Sequence, residues 1–539
     1  MKVHAAVARA LRDNGVDTMF GLLGDANMRY ISDYIDLEGG RYIGAVDERG
    51  AVMMAQGYAR VGNRLGVASI THGPAVTNAL TSLTEAARSR TPIVVFTGDT
   101  PAVRGHLQHI DLPGLVAPTG AAYQRVHNPS EVFDAVATAA RSALITRRPV
   151  LLDVPVDLLG ADVDDIGTRV RAARAHATSP GEDALDRALG VIASARRPLV
   201  LAGRGAVSAQ ARKELLLLAD TLGAPVATTL LAHDFFRGEP FNLGVLGTLA
   251  QPPAVEILAE SDCVIAFGAG LNRFTAAEGS AFVGKTVVHV DTDPAAFDTF
   301  TAVDAQVLGD ARTTAIIMIE QLRAADHRPS AFRSDDMARR IGDHHPRSGY
   351  TDAGSKTELD VRSAMIRLDE LLPRDRIVVT DVGRFVGAPW SFVHVQNPLD
   401  FTHSAAFGSI GLGTAMGVGA AAAHPDRLTL TVAGDGGAMM GIVEFSTAVR
   451  HRLPLLLVVV NDGGYGAEWT KLRAHGVDPR HALIEWPDLA DVGRALGGHG
   501  LTVHTLADLE PIADHVANVQ LPLLVDLRVD PAVDIGLLA

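Results

Sequence analysis

The sequence is poor in cysteine and has no excess of positive charge. Cys263 is the single cysteine among 539 residues, which excludes an intramolecular disulfide bond. Its apolar neighbours predict a buried strand, so we expect a core position for Cys263 rather than a reactive thiol. The 62 acidic residues outnumber the 48 Lys and Arg, giving a formal charge of −14. This balance argues against a surface for nucleic acid or an anionic membrane.

Long uninterrupted apolar runs are absent as well. No run approaches the roughly 18 residues that a membrane-spanning helix needs. At the N-terminus, His4, Arg9 and Arg12 interrupt the segment where a secretory signal would carry its apolar core. We therefore expect a soluble, cytoplasmic protein with no membrane contact.

Short β-branched runs, bounded by Gly, Pro or Asp, recur between segments of helical length. They lie at 66–71, 92–97, 149–154, 198–203, 263–268, 286–291, 376–381, 428–434, 454–461 and 522–528. Continuous apolar runs of this kind are typical of parallel strands that are buried on both faces, with helices as crossovers. The pattern predicts an α/β fold of doubly wound parallel sheets, repeated several times.

Two polar stretches, 173–186 and 324–358, interrupt this rhythm and are interpreted as linkers. They divide the chain into three predicted domains, at 1–175, 186–325 and 356–539. Three domains agree with a chain of this length, at about 150 residues per domain.

Two polar clusters follow neighbouring predicted strands near the C-terminus. The strand at 428–434 leads into Gly-Asp-Gly-Gly at 434–437, and the strand at 454–461 leads into Asn-Asp-Gly-Gly at 461–464. The carboxyl ends of parallel strands meet at one edge of a sheet, where ligands of open α/β sheets bind. Asp435 and Asp462 could there offer oxygens to Mg²⁺, which usually takes one or two carboxylates together with phosphate oxygens.

Gly436 and Gly437 would let backbone N–H groups approach a phosphate at the start of the next helix. Gly-Asp-Gly alone is also typical of a tight strand–helix turn with a capping aspartate. The second cluster, 27 residues after Asp435, favours the metal and diphosphate interpretation.

Gly-Asp-Gly followed at this spacing by Asn-Asp resembles the diphosphate-binding motif of thiamine-diphosphate enzymes. Within them the chain is similar, over nearly its whole length, to the acetohydroxyacid synthase, pyruvate decarboxylase and benzoylformate decarboxylase family. The resemblance implies a pyrimidine-binding, a central and a diphosphate-binding domain, with thiamine diphosphate and Mg²⁺ as cofactors. It implies Asp435, the side chain of Asp462 and the backbone carbonyl of Gly464 as metal ligands. The family usually has Asn at the position of Asp462, so this chain adds a negative charge beside the diphosphate.

Two further segments carry the resemblance. Residues 380–383 resemble the loop that meets the far side of the diphosphate, and residues 407–411 resemble the segment that bends the cofactor. In the second segment Ile410 would lie between the two rings of the cofactor, and the Gly408 carbonyl would accept from its amino group. The predicted cofactor-binding residues are Glu48, Asp381, Gly383, Gly408, Ile410, Gly434, Gly436 and Gly437.

Glu48 is the predicted proton-exchange partner of the cofactor's aminopyrimidine. A carboxylic acid in a dry site performs this exchange well, because burial raises its pKa toward the working pH. Glu48 follows a predicted strand and precedes an apolar helix, in a stretch that resembles the family's activating-glutamate segment. Without that resemblance, the same stretch would be interpreted as a solvated turn.

Three other residues are predicted to be catalytic by the same resemblance. His72 stands where many relatives carry Ser or Ala, and could protonate an intermediate or orient a substrate carboxylate. Gln108 matches a pocket glutamine of the synthases. Glu468 matches a glutamate of the pyruvate-decarboxylase branch. The alternatives are a histidine bonded only to backbone at 72 and an exposed helix glutamate at 468.

The central region contains glycine-rich strand ends that resemble loops holding FAD or a nucleotide in some relatives, whereas in others the domain is empty. Residues 279–286 also fit the phosphate-binding pattern GxxxxGK[ST]. That motif must lead into a helix, whereas Lys285 leads into a predicted strand, so we reject a nucleotide-hydrolysing function.

The predicted function is decarboxylation of a 2-oxo acid, ligation of the product to a second carbonyl, or both, in the manner of acetolactate synthase. The alternative is a thiamine-diphosphate-dependent lyase or hydrolase acting on an acyloin, a cyclic diketone or a 2-hydroxyacyl-CoA. An NAD-dependent dehydrogenase is disfavoured, because no complete GxGxxG opens a helix after a first strand. The resemblance implies a small carbonyl substrate and a homodimer or homotetramer with active sites at subunit interfaces.

Overall fold

The computed structural model describes residues 1–165, 177–345, 349–355, 357–533 and 535. These residues fall into two compact units. The first unit holds the described residues up to 165, those from 353 to 389, and those from 402 onward. The second unit holds the described residues from 177 to 352 together with 390–401.

Three six-stranded parallel sheets form the framework of the described chain. The first has the order β2-β1-β3-β4-β6-β5, the second β12-β11-β10-β7-β8-β9, and the third β14-β13-β15-β16-β18-β17. The strands are β1 Thr18–Gly21, β2 Arg41–Gly44, β3 Gly66–Ser69, β4 Ile93–Thr97, β5 Ala122–Arg125, β6 Val150–Asp153, β7 Pro198–Ala202, β8 Val226–Thr228, β9 Asn242–Val245, β10 Cys263–Phe267, β11 Thr286–Asp291, β12 Ala305–Leu308, β13 Arg376–Thr380, β14 Phe401–His403, β15 Leu428–Gly434, β16 Leu455–Asn461, β17 His499–Val503 and β18 Leu523–Arg528.

Helices connect the strands within each sheet. Around the first sheet they are α1 Val3–Asp13, α2 Met28–Asp36, α3 Glu48–Gly62, α4 Pro74–Arg88, α5 Leu112–Val116, α6 Val132–Thr146 and α7 Val156–Leu159. Around the second they are α8 Glu182–Ser194, α9 Arg204–Ser208, α10 Arg212–Leu222, α11 Pro252–Glu260, α12 Ala311–Ala324 and α13 Asp335–Gly342. Around the third they are α14 Val361–Leu371, α15 Gly387–Phe392, α16 Gly413–Ala423, α17 Asp435–Gly441, α18 Phe445–Arg450, α19 Gly466–Ala474, α20 Leu489–Ala495 and α21 Pro511–Ala517.

The predicted α/β class with repeated doubly wound sheets is confirmed. Central strands such as β4, β10 and β16 are buried along their whole length. This burial on both faces explains why their sequences are continuous apolar runs. Cys263 opens β10 and is fully buried, and burial raises the pKa of its thiol to about 11. Its predicted core role is confirmed.

The interpretation of the two polar stretches as linkers is wrong in part. Residues 173–176, 346–348 and 356 lie outside the described residues, but α8 begins at Glu182, inside the first stretch. In the second stretch, Ser334 caps α13 by accepting from the Met337 backbone N–H, and Met337 is buried. This helix is short and strongly charged, so its single buried face gives little apolar periodicity in the sequence.

The rejected phosphate-binding motif has the structure that the sequence predicts. Thr286 begins strand β11, so Lys285 precedes a strand and not a helix. The Lys285 ammonium donates to the Ser261 carbonyl at 2.8 Å, on the protein itself. No helix in the described residues is long and apolar enough to cross a membrane.

Helices α3 and α16 cross at very short distance in the core that the first and third sheets share. α3 begins because the Asp47 carboxylate accepts from the Arg49 N–H at 2.8 Å. Nearly every residue of both helices is buried. A Cβ on Gly419 would lie well under 3.0 Å from the Met54 carbonyl oxygen, and one on Gly57 would meet the Met416 carbonyl in the same way. Only glycine permits this approach.

We expect Gly419→Ala to lower the free energy of unfolding by at least about 3 kcal/mol, because the added methyl group meets backbone that cannot move away. Chemical denaturation followed by circular dichroism measures the change. Gly190→Ala is the matched control, since Gly190 lies in helix α8 with nothing within 4 Å of an added Cβ. There the same substitution is expected to stabilise by about 0.5–1 kcal/mol. Equal effects of the two substitutions would contradict the assigned role of the crossing.

Candidate active site

Three aspartates follow neighbouring strands at the carboxyl edge of the third sheet. Asp381 follows β13, Asp435 follows β15 and Asp462 follows β16. β15 pairs in parallel with β13 on one side and with β16 on the other, so the three strands end side by side. This edge is where an open α/β sheet binds its ligand.

Asp435 is buried and held from several directions. One carboxylate oxygen accepts from the Gly436 N–H at 2.8 Å. The other accepts from the Gly464 N–H at 2.9 Å and from the Trp486 indole N–H at 3.0 Å. Burial raises the pKa of Asp435, and these donors act against that rise. The carboxylate is therefore fixed in orientation before any ligand binds.

Asp462 has a raised pKa, as Asp381 and Asp435 do. Burial and the nearby Asp435 carboxylate raise the pKa of Asp462 to about 7. The Arg384 guanidinium opposes this at 3.9 Å, and its own N–H groups donate to the backbone carbonyls of Pro531 and Val533. A buried carboxylate (Asp435) and a half-buried one (Asp462) that repel each other are a donor set suited to a hard divalent cation, so these residues fit Mg²⁺.

Gly464, the predicted carbonyl ligand, lies beside this pair. It forms an isolated bridge with Leu483, and an added Cβ would clash with the Ala482 carbonyl oxygen. This packing and the hydrogen bond to Asp435 hold the Gly464 backbone next to both carboxylates.

The glycines of the motif are needed for close packing within the protein. A Cβ on Gly436 would lie 2.6 Å from the Tyr465 ring, and one on Gly437 would lie 2.7 Å from an Asp381 carboxylate oxygen. The same position on Gly437 lies 3.4 Å from the Ile410 Cβ, so Ile410 is next to the start of α17. Gly434 ends β15 just before this turn.

Asp381 uses its buried carboxylate to hold the loop that contains Gly408 and Ile410. One oxygen accepts from the Ser404 hydroxyl at 2.9 Å and the other from the Gly411 N–H at 2.8 Å. Gly408 lies in this loop at φ +82°, a conformation that favours glycine. Asp381 thus shapes the predicted cofactor segment, while Gly383 lies at the end of the 380–383 loop against the Phe385 ring.

The N-terminal domain brings Glu48, His72 and Gln108 to the carboxyl edge of its own sheet. Glu48 begins α3 and accepts from the Asn78 amide at 3.0 Å. His72 is buried, and its ring packs edge-on against His106 with the centroids 6.0 Å apart. Burial and His106 lower the pKa of His72, so its imidazole is neutral at neutral pH. Gln108 packs against Gly73, the residue after His72.

The two groups of predicted residues make no direct polar contact with each other in the described part of one chain. In the described ranges, no hydrogen bond or ion pair connects Glu48, His72 or Gln108 with the three aspartates. Glu468 lies in the first turn of α19 with its side chain 59% exposed and 3.8 Å from the Lys471 ammonium. In the single chain, Glu468 is thus an exposed helix glutamate, which is the alternative interpretation of this residue.

Comparison with known protein families gives a match for each of three regions of the chain. Residues 1–115 match the N-terminal TPP binding domain of thiamine pyrophosphate enzymes, residues 185–318 their central domain and residues 381–527 their C-terminal TPP binding domain. The chain belongs to the thiamine pyrophosphate enzyme family. This thiamine pyrophosphate (thiamine diphosphate) assignment confirms the resemblance seen in the sequence, and with it the nature of the organic cofactor.

Its similar relatives within the family carry two kinds of name. An acetolactate synthase large subunit from Parasynechococcus marenigrum is 30% identical over 93% of this chain and 83% of its own. A sulfoacetaldehyde acetyltransferase from Alcaligenes xylosoxydans xylosoxydans is 29% identical over 94% and 89%. A probable acetolactate synthase large subunit from Methanococcus aeolicus is 28% identical over 98% and 92%.

In this thiamine pyrophosphate enzyme, the glycine-rich strand ends of the central domain pack on one another. A Cβ on Gly205 would lie 2.6 Å from the Gly268 Cα, and a Cβ on Gly203 would clash with the Gly268 carbonyl oxygen. These glycines close the ends of β7 and β10 together. FAD or nucleotide binding by this domain stays a prediction.

Four side chains that support the site were not found in the sequence. Trp486 holds Asp435, and Asn78 holds Glu48. Glu85 accepts from the backbone N–H of Phe407, and Glu444 accepts from the backbone N–H of Asp47 at 3.0 Å. Glu85 and Glu444 could have been found, because each is an acidic residue inside an apolar helical stretch. A carboxylate in such a stretch indicates a buried hydrogen-bond partner.

We expect Asp462→Asn to remove a pH dependence from cofactor binding. In the wild type, protonated Asp462 must lose its proton to bind a cation, so Mg²⁺-dependent binding should weaken up to about tenfold per pH unit below pH 7. The amide side chain of the variant does not titrate in this range. Quenching of tryptophan fluorescence reports binding, because Trp486 contacts Asp435. Protonation of the cofactor's own diphosphate affects binding to the wild type and to the variant equally. The difference between the two plots of binding against pH therefore reports Asp462 alone. Parallel profiles would refute this role.

The metal-free protein gives an independent check of the same pKa. The native state retains a proton on Asp462 up to about pH 7, whereas the unfolded chain loses it near its ordinary value of 3.8. Asp462 therefore makes the native state progressively less stable as the pH rises from about 4 to 7. At pH 8, Asp462→Asn should raise the free energy of unfolding by at least about 1 kcal/mol.

Proposed function

We propose that this thiamine-diphosphate enzyme decarboxylates a 2-oxo acid and transfers the resulting acyl unit to a second carbonyl, as the name acetolactate synthase describes for its relatives. The paired carboxylates of buried Asp435 and half-buried Asp462, at the ends of adjacent strands, carry this proposal. A chain that binds the cofactor only as a regulator would not need a buried imidazole and a carboxylate at a second sheet edge as well.

Asp435, Asp462 and the Gly464 carbonyl would hold Mg²⁺ at the diphosphate. Trp486 and the Gly464 N–H keep the Asp435 carboxylate in place for this task. Asp381 holds the loop that places Ile410 beside the start of α17. When bound, thiamine diphosphate supplies an electron sink for making or breaking a bond next to a carbonyl.

Glu48 exchanges a proton with the aminopyrimidine in this proposal. The Asn78 amide orients the carboxylate through a hydrogen bond at 3.0 Å. His72, neutral and buried, has an Nδ1 atom without a protein partner in the described structure, which suits a contact with substrate. Gln108 lies beside it and can donate to a substrate carbonyl or carboxylate. Glu468 remains a predicted catalytic residue.

We infer a homodimer from the family resemblance, which implies that the two edges facing one cofactor come from different subunits. Within the described part of one chain, no hydrogen bond or ion pair joins Glu48 to Asp435 or Asp462, which agrees with this arrangement. A second copy of the chain would bring its Glu48 edge to the aspartate edge of the first. A dimer is the smallest assembly that completes the site, and a tetramer is a dimer of such dimers.

A second candidate function is acyl transfer of the kind named in the sulfoacetaldehyde acetyltransferases. The match to such a relative covers 94% of this chain, between the 93% and 98% of the two synthases. Both candidates use the same residues for the cofactor and differ in the carbonyl donor and the acceptor. Thiamine-dependent cleavage of an acyloin, a cyclic diketone or a 2-hydroxyacyl-CoA is the further alternative from the sequence.

We expect Glu48→Gln to lower kcat by about 100-fold or more, because the amide cannot exchange the proton. The assay uses a panel of 2-oxo acids and sulfoacetaldehyde, with water, phosphate or a second carbonyl compound as acceptor. Release of CO₂ and the products are measured with and without thiamine diphosphate and Mg²⁺. The best pair of donor and acceptor decides between the two candidate functions.

Glu320→Gln is the matched control, since Glu320 is exposed on α12, and it should keep full activity. Cofactor binding by the Glu48 variant, measured by fluorescence, separates a loss of catalysis from a loss of binding. Full turnover by Glu48→Gln would contradict the assigned role. Cofactor binding without turnover of any 2-oxo acid would favour the lyase alternative.

A further inference from the structure

Two histidines and an aspartate converge in the second compact unit. His233, Asp234 and His394 each offer one ligand atom, and these atoms all lie within 4.8 Å of one another. His233 and Asp234 come after strand β8, and His394 lies in the 390–401 segment that packs with this unit.

The backbone explains how two consecutive residues face the same point. In extended chain, neighbouring side chains point to opposite sides. Asp234 has φ +66°, in the left-handed region, and this turns the chain directly after His233. The two imidazole rings then stack with an interplanar angle of 16° and centroids 5.5 Å apart.

The distances match the edges of a metal tetrahedron. Asp234 Oδ2 lies 3.3 Å from His233 Nε2 and 3.2 Å from His394 Nδ1, and Asp234 Oδ1 lies 3.2 Å from the same His394 nitrogen. Ligands about 2.0–2.1 Å from a tetrahedral zinc ion are about 3.3–3.4 Å apart. The 3.2 Å contacts between Asp234 and His394 also lie within hydrogen-bond range. The same spacing therefore serves a hydrogen bond in the metal-free protein and a shared ion when a metal binds.

Burial and access also suit a metal. The side chains of His233 and Asp234 are 7% and 8% exposed, and Asp234 is anchored by the Val395 N–H at 3.0 Å. His394 is 31% exposed, which leaves an entry path and a coordination position for water. An opposing feature is the Arg237 guanidinium, 4.0 Å from Asp234 but half exposed and able to turn outward.

We propose that His233, Asp234 and His394 bind a divalent transition metal of the zinc type, with water as the fourth ligand. Imidazole nitrogen selects zinc-like ions over Mg²⁺, so the site is chemically distinct from the Asp435–Asp462 pair. The bound ion fastens the 390–401 segment to the loop after β8.

Zinc titration of the full chain tests the proposal. The protein is stripped with a chelator, saturated with thiamine diphosphate and excess Mg²⁺ to fill the cofactor site, and titrated with Zn²⁺ in a calorimeter. We expect one equivalent per chain. His394→Asn and Asp234→Asn should each weaken this binding by at least about 100-fold. Co²⁺ in place of Zn²⁺ should give the intense visible bands of a tetrahedral complex, and these should be lost in both variants.

Two controls make the result decisive. His127→Asn removes an exposed histidine of the N-terminal domain, and Asp462→Asn alters the cofactor site. Both should bind Zn²⁺ as the wild type does. His394→Asn changes a partly exposed side chain, and its circular dichroism spectrum should be that of the wild type. No saturable Zn²⁺ binding by the wild type, or undiminished binding by His394→Asn, would overturn the proposal.

Discussion

The close crossing of α3 and α16 is the contact on which the arrangement of the first and third sheets depends. Gly57 of α3 lies against the Met416 carbonyl of α16, and Gly419 of α16 lies against the Met54 carbonyl of α3. Because neither glycine has a side chain, the backbones of these two buried helices can touch. α3 carries Glu48 at its start, and α16 follows directly from the loop of Gly408 and Ile410. A change in the spacing of these helices would therefore move residues at both edges at once.

Carboxylates on one domain hold backbone N–H groups of the other. Glu444 accepts from the start of α3, and Glu85 accepts from the Ala406 and Phe407 N–H groups in the loop before α16. Burial raises the pKa of both acids, and the donated hydrogen bonds offset part of that cost. Charge inside this core thus positions the two segments that are predicted to meet the cofactor.

The strand ends could be predicted from the sequence because parallel strands obey a simple rule. Apolar runs in the sequence indicate the strands. Because the carboxyl ends of neighbouring parallel strands share one edge, the sequence alone predicts that Asp435 lies near Asp462. The supporting residues follow no such rule. Trp486 lies 51 residues beyond Asp435, and only the folded path of the chain brings its indole N–H to the carboxylate. The sequence also does not show every reason for a glycine. Gly436 and Gly437 are predicted to give a phosphate access to backbone N–H groups, and the structure adds a packing reason, since a Cβ there would meet the Tyr465 ring and the Asp381 carboxylate. His233 and Asp234 carried no signal at all, because their third partner, His394, is 160 residues away from Asp234.

The separation of α3 and α16 in the chain has a consequence for biosynthesis. A ribosome completes α3 at Gly62 some 350 residues before it begins α16 at Gly413. At about 5–20 residues per second, the apolar face of α3 stays uncovered for at least roughly 20 seconds. Contacts this distant in sequence also form slowly. The nascent chain therefore passes through a long aggregation-prone interval, in which a chaperone has an obvious surface to protect.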